Sequence, residues 1–275
     1  MSGKPNLPPI LGPRPGTQSA KPVQVLTLTP FYPSTNDDAG GCFVAEPLEW
    51  LAKGGGVTNS VLAAQPLYRE KQQARPSSVP AEWIRYFSFP GGFGLPTAGA
   101  FLFARVVGRI RELQKTGSID LIHAHAPLPC GHAAMLLGAE LGLPYVVSVH
   151  GLDAFATEQV KGRAGAWCYS IAQRVYRSSR RVICISEHVR EKVLEGTGST
   201  CRTSVVYNGV DTEMFSPGKE TEPAAPVILS VGNLIPIKGH DLLIEVDLSD
   251  GRASARVWTC DLSHKYVDIN ASYIS

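Results

Sequence analysis

Two histidines one residue apart, His123-Ala124-His125, close a short apolar run. A third, His150, ends another such run and opens His150-Gly151-Leu152-Asp153. Alternate residues of a strand share a face, so His123 and His125 should point the same way. An imidazole can donate, accept or carry a proton near neutral pH, and Asp153 gives His150 a carboxylate close by. The rings could also ligate a metal, with His132 and His150 as further donors, but no spacing rule joins them and we expect no metal. Polar rings at the mouth of a sheet, bonded to a loop or a substrate, fit the pattern better. Taken singly, His150 is better read as a structural residue.

Two glycine-bearing loops follow strand-like runs. In Asp37-Asp38-Ala39-Gly40-Gly41 the glycine pair would let a ligand approach the backbone at a helix N-terminus; a flexible turn explains the same residues. No G-x-G-x-x-G is present, which argues against a nicotinamide dehydrogenase. In Gly232-Asn233-Leu234-Ile235-Pro236-Ile237-Lys238-Gly239, a lysine beside a helix start is an arrangement that receives a phosphate, or else a solvated loop. Ser186-Glu187 reads as a helix N-cap with an acidic first turn, and Tyr207-Asn208-Gly209-Val210-Asp211 as a tight turn.

The elements that must position these residues alternate. Strands are expected at Val23 to Thr29, Val57 to Ala64, Glu82 to Phe89, Asp120 to Ala124, Tyr145 to Val149, Arg181 to Ser186 and Ser204 to Tyr207. Helices are expected at Phe43 to Lys53, Ala98 to Lys115, Gly131 to Leu141, Arg163 to Ser178 and Glu187 to Leu194. Short strands separated by helices predict an α/β fold, a Rossmann-like, doubly wound, mainly parallel sheet. Its ligands bind beyond the carboxyl ends of the strands.

Residues 1–22, with six prolines and three glycines, read as a disordered arm, 23–216 as the main domain and 217–226 as a linker. A second domain begins at 227–246, with a strand at Val227 to Val231 and a helix from Gly239 to Val246, and is incomplete. Residues 247–275 show no sustained period and match nothing in the pattern.

The 275 residues are 44% hydrophobic, enough to bury a core, and the net charge of +2 excludes a nucleic-acid binder working by bulk charge. No nucleic-acid motif is present either. No apolar run approaches a membrane span. The six cysteines are scattered and without a C-x-x-C pair, which fits a reduced, cytoplasmic chain. Between Lys161 and Arg181 stand six basic residues and no acidic one. Arg174, Arg177 and Arg181, at i, i+3 and i+7, fall on one face of a helix. That face is either simply solvated or contacts an anionic membrane surface.

The ordered set Gly40-Gly41, Asp120 to His125, His150 to Asp153, Val182 to Ser186, Asn208 to Asp211 and Val231 to Gly239 resembles glycosyltransferase family 4 over about Val23 to Val246. The resemblance implies the N-terminal half of a GT-B fold, in which two Rossmann-like domains hold acceptor and donor. It implies retaining transfer of a hexose from a nucleotide-diphospho-sugar to a glycan or lipid-linked acceptor, without a cofactor. His150 and Asp153 would sit at the reaction centre. Gly40, Gly41, Asn233 and Lys238 would serve the donor, and His123 and His125 the acceptor. Asn233 stands where many members carry Arg, which removes half of a cationic clamp. The family's pair of glutamates seven residues apart has no counterpart here, so the resemblance implies a truncated, inactive form; a non-catalytic acceptor-binding or vestigial fragment is the alternative.

Overall fold

The computed structural model describes residues 21–212, apart from 38, 74, 92, 118, 152 and 156–159, and the strands at 243–246 and 255–258. The chain divides into two units, Met1–Val210 and Asp211–Ser275. Residues 1–20 of the expected arm, the linker, the strand at 227–231, Asn233 and Lys238 lie outside the described residues.

The first unit runs β1 (Val23–Thr29), α1 (Cys42–Lys53), β2 (Val57–Pro66), β3 (Ala81–Tyr86), α2 (Leu95–Lys115), β4 (Leu121–His125), α3 (His132–Leu141), β5 (Tyr145–Val149), α4 (Gly162–Ser178), β6 (Arg181–Cys184), α5 (Glu187–Thr197) and β7 (Thr203–Val205). The seven strands form one sheet in the order β3-β2-β1-β4-β5-β6-β7, and every pairing is parallel. This is the expected Rossmann-like α/β fold.

A parallel sheet covered on both faces needs strands that are apolar on both sides. In β2, successive side chains enter different cores: Leu62 and Ala64 join Leu102, Val106 and Ile110 of α2, whereas Val61 and Ala63 join Val44, Ala45 and Leu48 of α1. The i, i+4, i+8 spacing of the α2 residues produces its fully buried stripe.

Three expectations need correction. First, the single helix face expected for Arg174, Arg177 and Arg181 is not formed: α4 ends at Ser178, as its expected range has it, because Ser179 is extended, with φ −71° and ψ 152°. Arg181 therefore opens β6, where its Nη1 donates to Ser204 Oγ at 2.8 Å, and does not share a helix face with Arg174 and Arg177. Secondly, β6 ends at Cys184 because Ser186 caps α5, its Oγ accepting the Val189 N–H at 3.2 Å. Thirdly, the helix expected to reach Val246 gives way to a strand. In the second unit β8 (Leu243–Val246) pairs antiparallel with β9 (Ala255–Trp258), as two short runs with β-branched residues can.

Candidate active site

The strand order reverses between β1 and β4, because β1 leads on to β2 and β3 while β4 leads on to β5, β6 and β7. Loops leave the sheet in opposite directions there, which opens a crevice at the carboxyl edge. His123 and His125 lie on β4 and His150 follows β5, so the topology delivers all three to this edge.

The rings of His123 and His125 do share a face, with centroids 4.4 Å apart. His123 Nε2 lies 2.7 Å from Ser148 Oγ on β5. His125 Nδ1 lies 3.0 Å from His150 Nε2. Asp153 Oδ1 accepts the His150 backbone N–H at 2.9 Å, which ties the loop back on itself. Ala126, directly after β4, has φ +65°, a costly conformation for a residue with a side chain, held here in a buried turn.

The Gly40-Gly41 loop reaches the same ring through its neighbours. Gly41 has φ +78°, and a Cβ there would stand 2.4 Å from Tyr32 N and 2.5 Å from Phe31 C. Only glycine lets the start of α1 close onto the loop after β1. Phe31 and Phe43, on either side of that contact, pack their rings 5.9 and 4.7 Å from the His150 ring. The Gly40 N–H donates to Asp37 Oδ1 at 2.8 Å.

Burial sets the protonation of the cluster. It pushes His123 down to about 4, with the nearby His150 ring adding to the effect. His125 falls well below the usual histidine range through burial, then through His123 and His150. His150 itself falls to about 4 by burial. Burial raises Asp153 to about 6, partly offset by backbone N–H groups at His150, Asp153 and Gly151 and by the charge of Lys192. Near neutral pH the three rings are uncharged beside an ionised carboxylate. His125 Nε2, His150 Nδ1 and Asp153 Oδ2 are buried and have no hydrogen-bond partner among the described residues.

Four of the expected site residues and the glycine pair thus converge: His123, His125, His150, Asp153, Gly40 and Gly41. His132 does not join them by any hydrogen bond or ring contact among the described residues; it packs against α2, its Cβ 2.5 Å from where a Gly99 Cβ would stand. No group of three or more His, Cys, Asp or Glu side chains that could hold a metal occurs among the described residues. Phe31, Phe43 and Ser148 escaped the sequence reading. Ser148 was signalled by being the one small polar residue in Tyr-Val-Val-Ser-Val beside a His-x-His strand.

The family model of Glycosyltransferase Family 4 matches residues 46–214, more than half of the chain. The chain belongs to glycosyltransferase family 4. Uncharacterized glycosyltransferase MJ1178 of Methanocaldococcus jannaschii is 31% identical over 136 residues, which cover 49% of this chain and 35% of that protein. The solved structure of Anabaena Alr3699/HepE in complex with UDP-glucose matches at TM-score 0.50 and 15% identity, over 79% of this chain and 55% of that one. The chain therefore spans about a third to about half of the length of these two proteins. A second model, the ArgJ family, matches residues 208–275. Over 36 residues the chain is 66% identical to the mitochondrial arginine biosynthesis bifunctional protein ArgJ of Cryptococcus neoformans, covering 13% of this chain and 8% of that protein. No helix among the described residues is long and apolar enough to cross a membrane.

Proposed function

We propose that the first unit is the acceptor half of a retaining hexosyltransferase, and that His150 touches the transferred sugar at the carboxyl edge of the sheet. The observation that carries this is one neutral ring, fixed on one side by His125 and Phe43 and through its backbone by Asp153, with Nδ1 left without a partner among the described residues. A neutral imidazole so held can give or take a hydrogen bond from a sugar hydroxyl without the reorientation that a free side chain would need. His125 is buried and meets His150, so its part is to position that ring; His123, bonded to Ser148, supports it from below. Asp153 holds the His150 backbone. Gly41 brings α1 close to the reaction centre.

Family membership supports a nucleotide-diphospho-sugar as the donor, and HepE, solved with UDP-glucose, supports it further. Asn233 and Lys238 would meet the donor's phosphates. The acceptor is a glycan or lipid-linked sugar, no cofactor takes part, and the free cysteines, four of the five described being buried, support a cytoplasmic location.

This chain by itself does not turn over donor. The support is the ArgJ match over 208–275, where a donor half would begin. Each preorganised phosphate-directed group is worth about 2.7–4 kcal/mol, and about 1.4 kcal/mol is tenfold in rate, so several missing groups abolish measurable transfer. The test incubates the chain with a panel of nucleotide sugars and acceptors and measures released nucleotide. Background release is expected, and steady acceptor-dependent turnover would overturn the inactivity. Grafting the first unit onto a complete family-4 donor half tests the site: His150→Ala should lower turnover more than it lowers stability, and equal losses would reduce His150 to a structural residue.

A further inference from the structure

The opposite edge of the sheet holds a second feature that the catalytic reading leaves unused. A groove of about 690 Å³ lies between the end of α3, the turn into β5 and the end of α4, in the size range of small-ligand sites. Met135, Leu136 and Pro144 give it an apolar wall; Arg174, Arg177 and Arg180 face that wall. It continues into a smaller groove lined by Arg177, Arg180, Thr200 and Arg202. Neither contains a carboxylate. β5 separates this edge from His150 by about 15 Å, five residues at about 3.3 Å each.

The arginines come from separate parts of the chain: Arg174 and Arg177 from α4, Arg180 from the link to β6, and Arg202 from the link to β7. Several exposed cations of this unit are matched by acids, as in Arg109–Glu82, Arg111–Glu140, Lys115–Glu112 and Arg190–Glu187, while others such as Lys53, Arg105 and Arg163 stand singly among the described residues. Among the described residues no salt bridge engages Arg174, Arg180 or Arg202, and Arg177 donates only to the Thr197 carbonyl, at 3.2 Å. Favourable charge at the carboxyl end of α4 accounts for Arg174 and Arg177. It does not account for Arg180 and Arg202, which lie off the helix.

Guanidinium groups gathered without counter-charge repel one another until an anion arrives, and their planar forks suit phosphate oxygens. We propose that this double groove binds a phosphate ester with an apolar portion: phosphate on the arginines, the apolar part against Met135, Leu136 and Pro144. A soluble phosphorylated molecule and the headgroup of an anionic lipid share that chemistry.

The full chain is titrated with inorganic phosphate and phenyl phosphate against chloride at matched ionic strength, and separately sedimented with vesicles of phosphatidylcholine alone or with about 30% phosphatidylglycerol. Phenyl phosphate should bind more tightly than inorganic phosphate, and Arg174→Gln/Arg180→Gln/Arg202→Gln should weaken that binding by about tenfold or more. Arg202→Gln alone, which leaves α4 intact, should give part of the loss, and Arg109→Gln none. Sedimentation with the anionic vesicles, lost in the triple variant, assigns the lipid source; phenyl phosphate binding without sedimentation assigns the soluble one. Phosphate effects no larger than those of chloride together with no vesicle binding, or binding that survives the triple variant, would overturn the proposal.

Discussion

Lowering the pH from about 7 to about 4.5 should destabilise the first unit steeply, because its neutral histidines must then take up protons that the unfolded chain binds readily. His123 and His150 sit at about 4 in the fold against an ordinary 6.5. A depressed folded value means that the unfolded state holds the extra proton between 6.5 and about 4. Stability is therefore full above the upper value and is lost as pH falls toward the lower one. A drop of that size is worth about 3 kcal/mol per ring at most, and on the order of 2 for His150 once water at its exposed side is counted. His125 acts in the same direction. Asp153 opposes them: raised from 3.8 to about 6, it binds its proton first in the fold and returns about 3 kcal/mol as pH falls through that window. The quantified contributions leave a net loss of about 2 kcal/mol, to which His125 adds, a sizeable part of the about 5–15 kcal/mol that holds an ordinary domain folded. Urea unfolding followed by circular dichroism at a series of pH values measures it, and histidine ring resonances give the individual titrations. Stability that is flat or rising on acidification, or rings that titrate near their ordinary value, would refute the buried, uncharged cluster.

Asp153→Asn should stabilise the first unit by about 1 kcal/mol or more at pH near 7.5, since it removes a buried charge, and the gain should vanish at pH near 4.5; urea midpoints at the two pH values check both signs. Gly41→Ala should cost roughly 1–3 kcal/mol through its positive φ, and more through the clash with Tyr32, while shifting Phe31 and Phe43 away from His150; a thermal melt and the His150 ring resonances read the two effects. Ser186→Ala should cost about 1 kcal/mol by removing the cap of α5, and an unchanged unfolding midpoint would disprove the cap.

The alternation of strands and helices was legible because each strand is an apolar run too short to be a helix, and Tyr145–Val149 was read to the residue. Ends were harder. The break between Ser178 and Arg181 was legible, yet the i, i+3, i+7 spacing of the arginines runs across it and suggests a shared face that the pairing of Arg181 with Val146 rules out. The end of β6 was misread because Ser186 belongs to the cap of α5. The convergence of His123, His150 and Asp153 could be read from the rule that ligands meet the carboxyl edge. Phe43 could not, because its approach to His150 depends on how tightly Gly41 lets α1 close. The two arginines off α4 were equally invisible as a group, since Arg180 and Arg202 are 22 positions apart and meet only at the entrances of β6 and β7. Residues 247–275, where no sustained period was legible, contain β9 (Ala255–Trp258), whose four residues are too few to show one, and lie within the part of the chain that the ArgJ family model covers.

The arrangement around His150 has the energetics of half a site. A buried polar atom without a partner costs about 1–3 kcal/mol, and His125 Nε2, His150 Nδ1 and Asp153 Oδ2 lie together at one strand end. A purely structural cluster would be expected to close such bonds internally, as His123 does with Ser148 and Tyr145 does with the Val175 carbonyl at 2.8 Å. In the proposed enzyme, a sugar hydroxyl meeting His150 Nδ1 recovers part of that cost on binding. Charge would be supplied from the other side: the rings here are neutral, and the cations that meet a diphosphate belong to the donor half. On that division a first unit separated from its donor half keeps its fold and its oriented ring but has nothing with which to stabilise the leaving group.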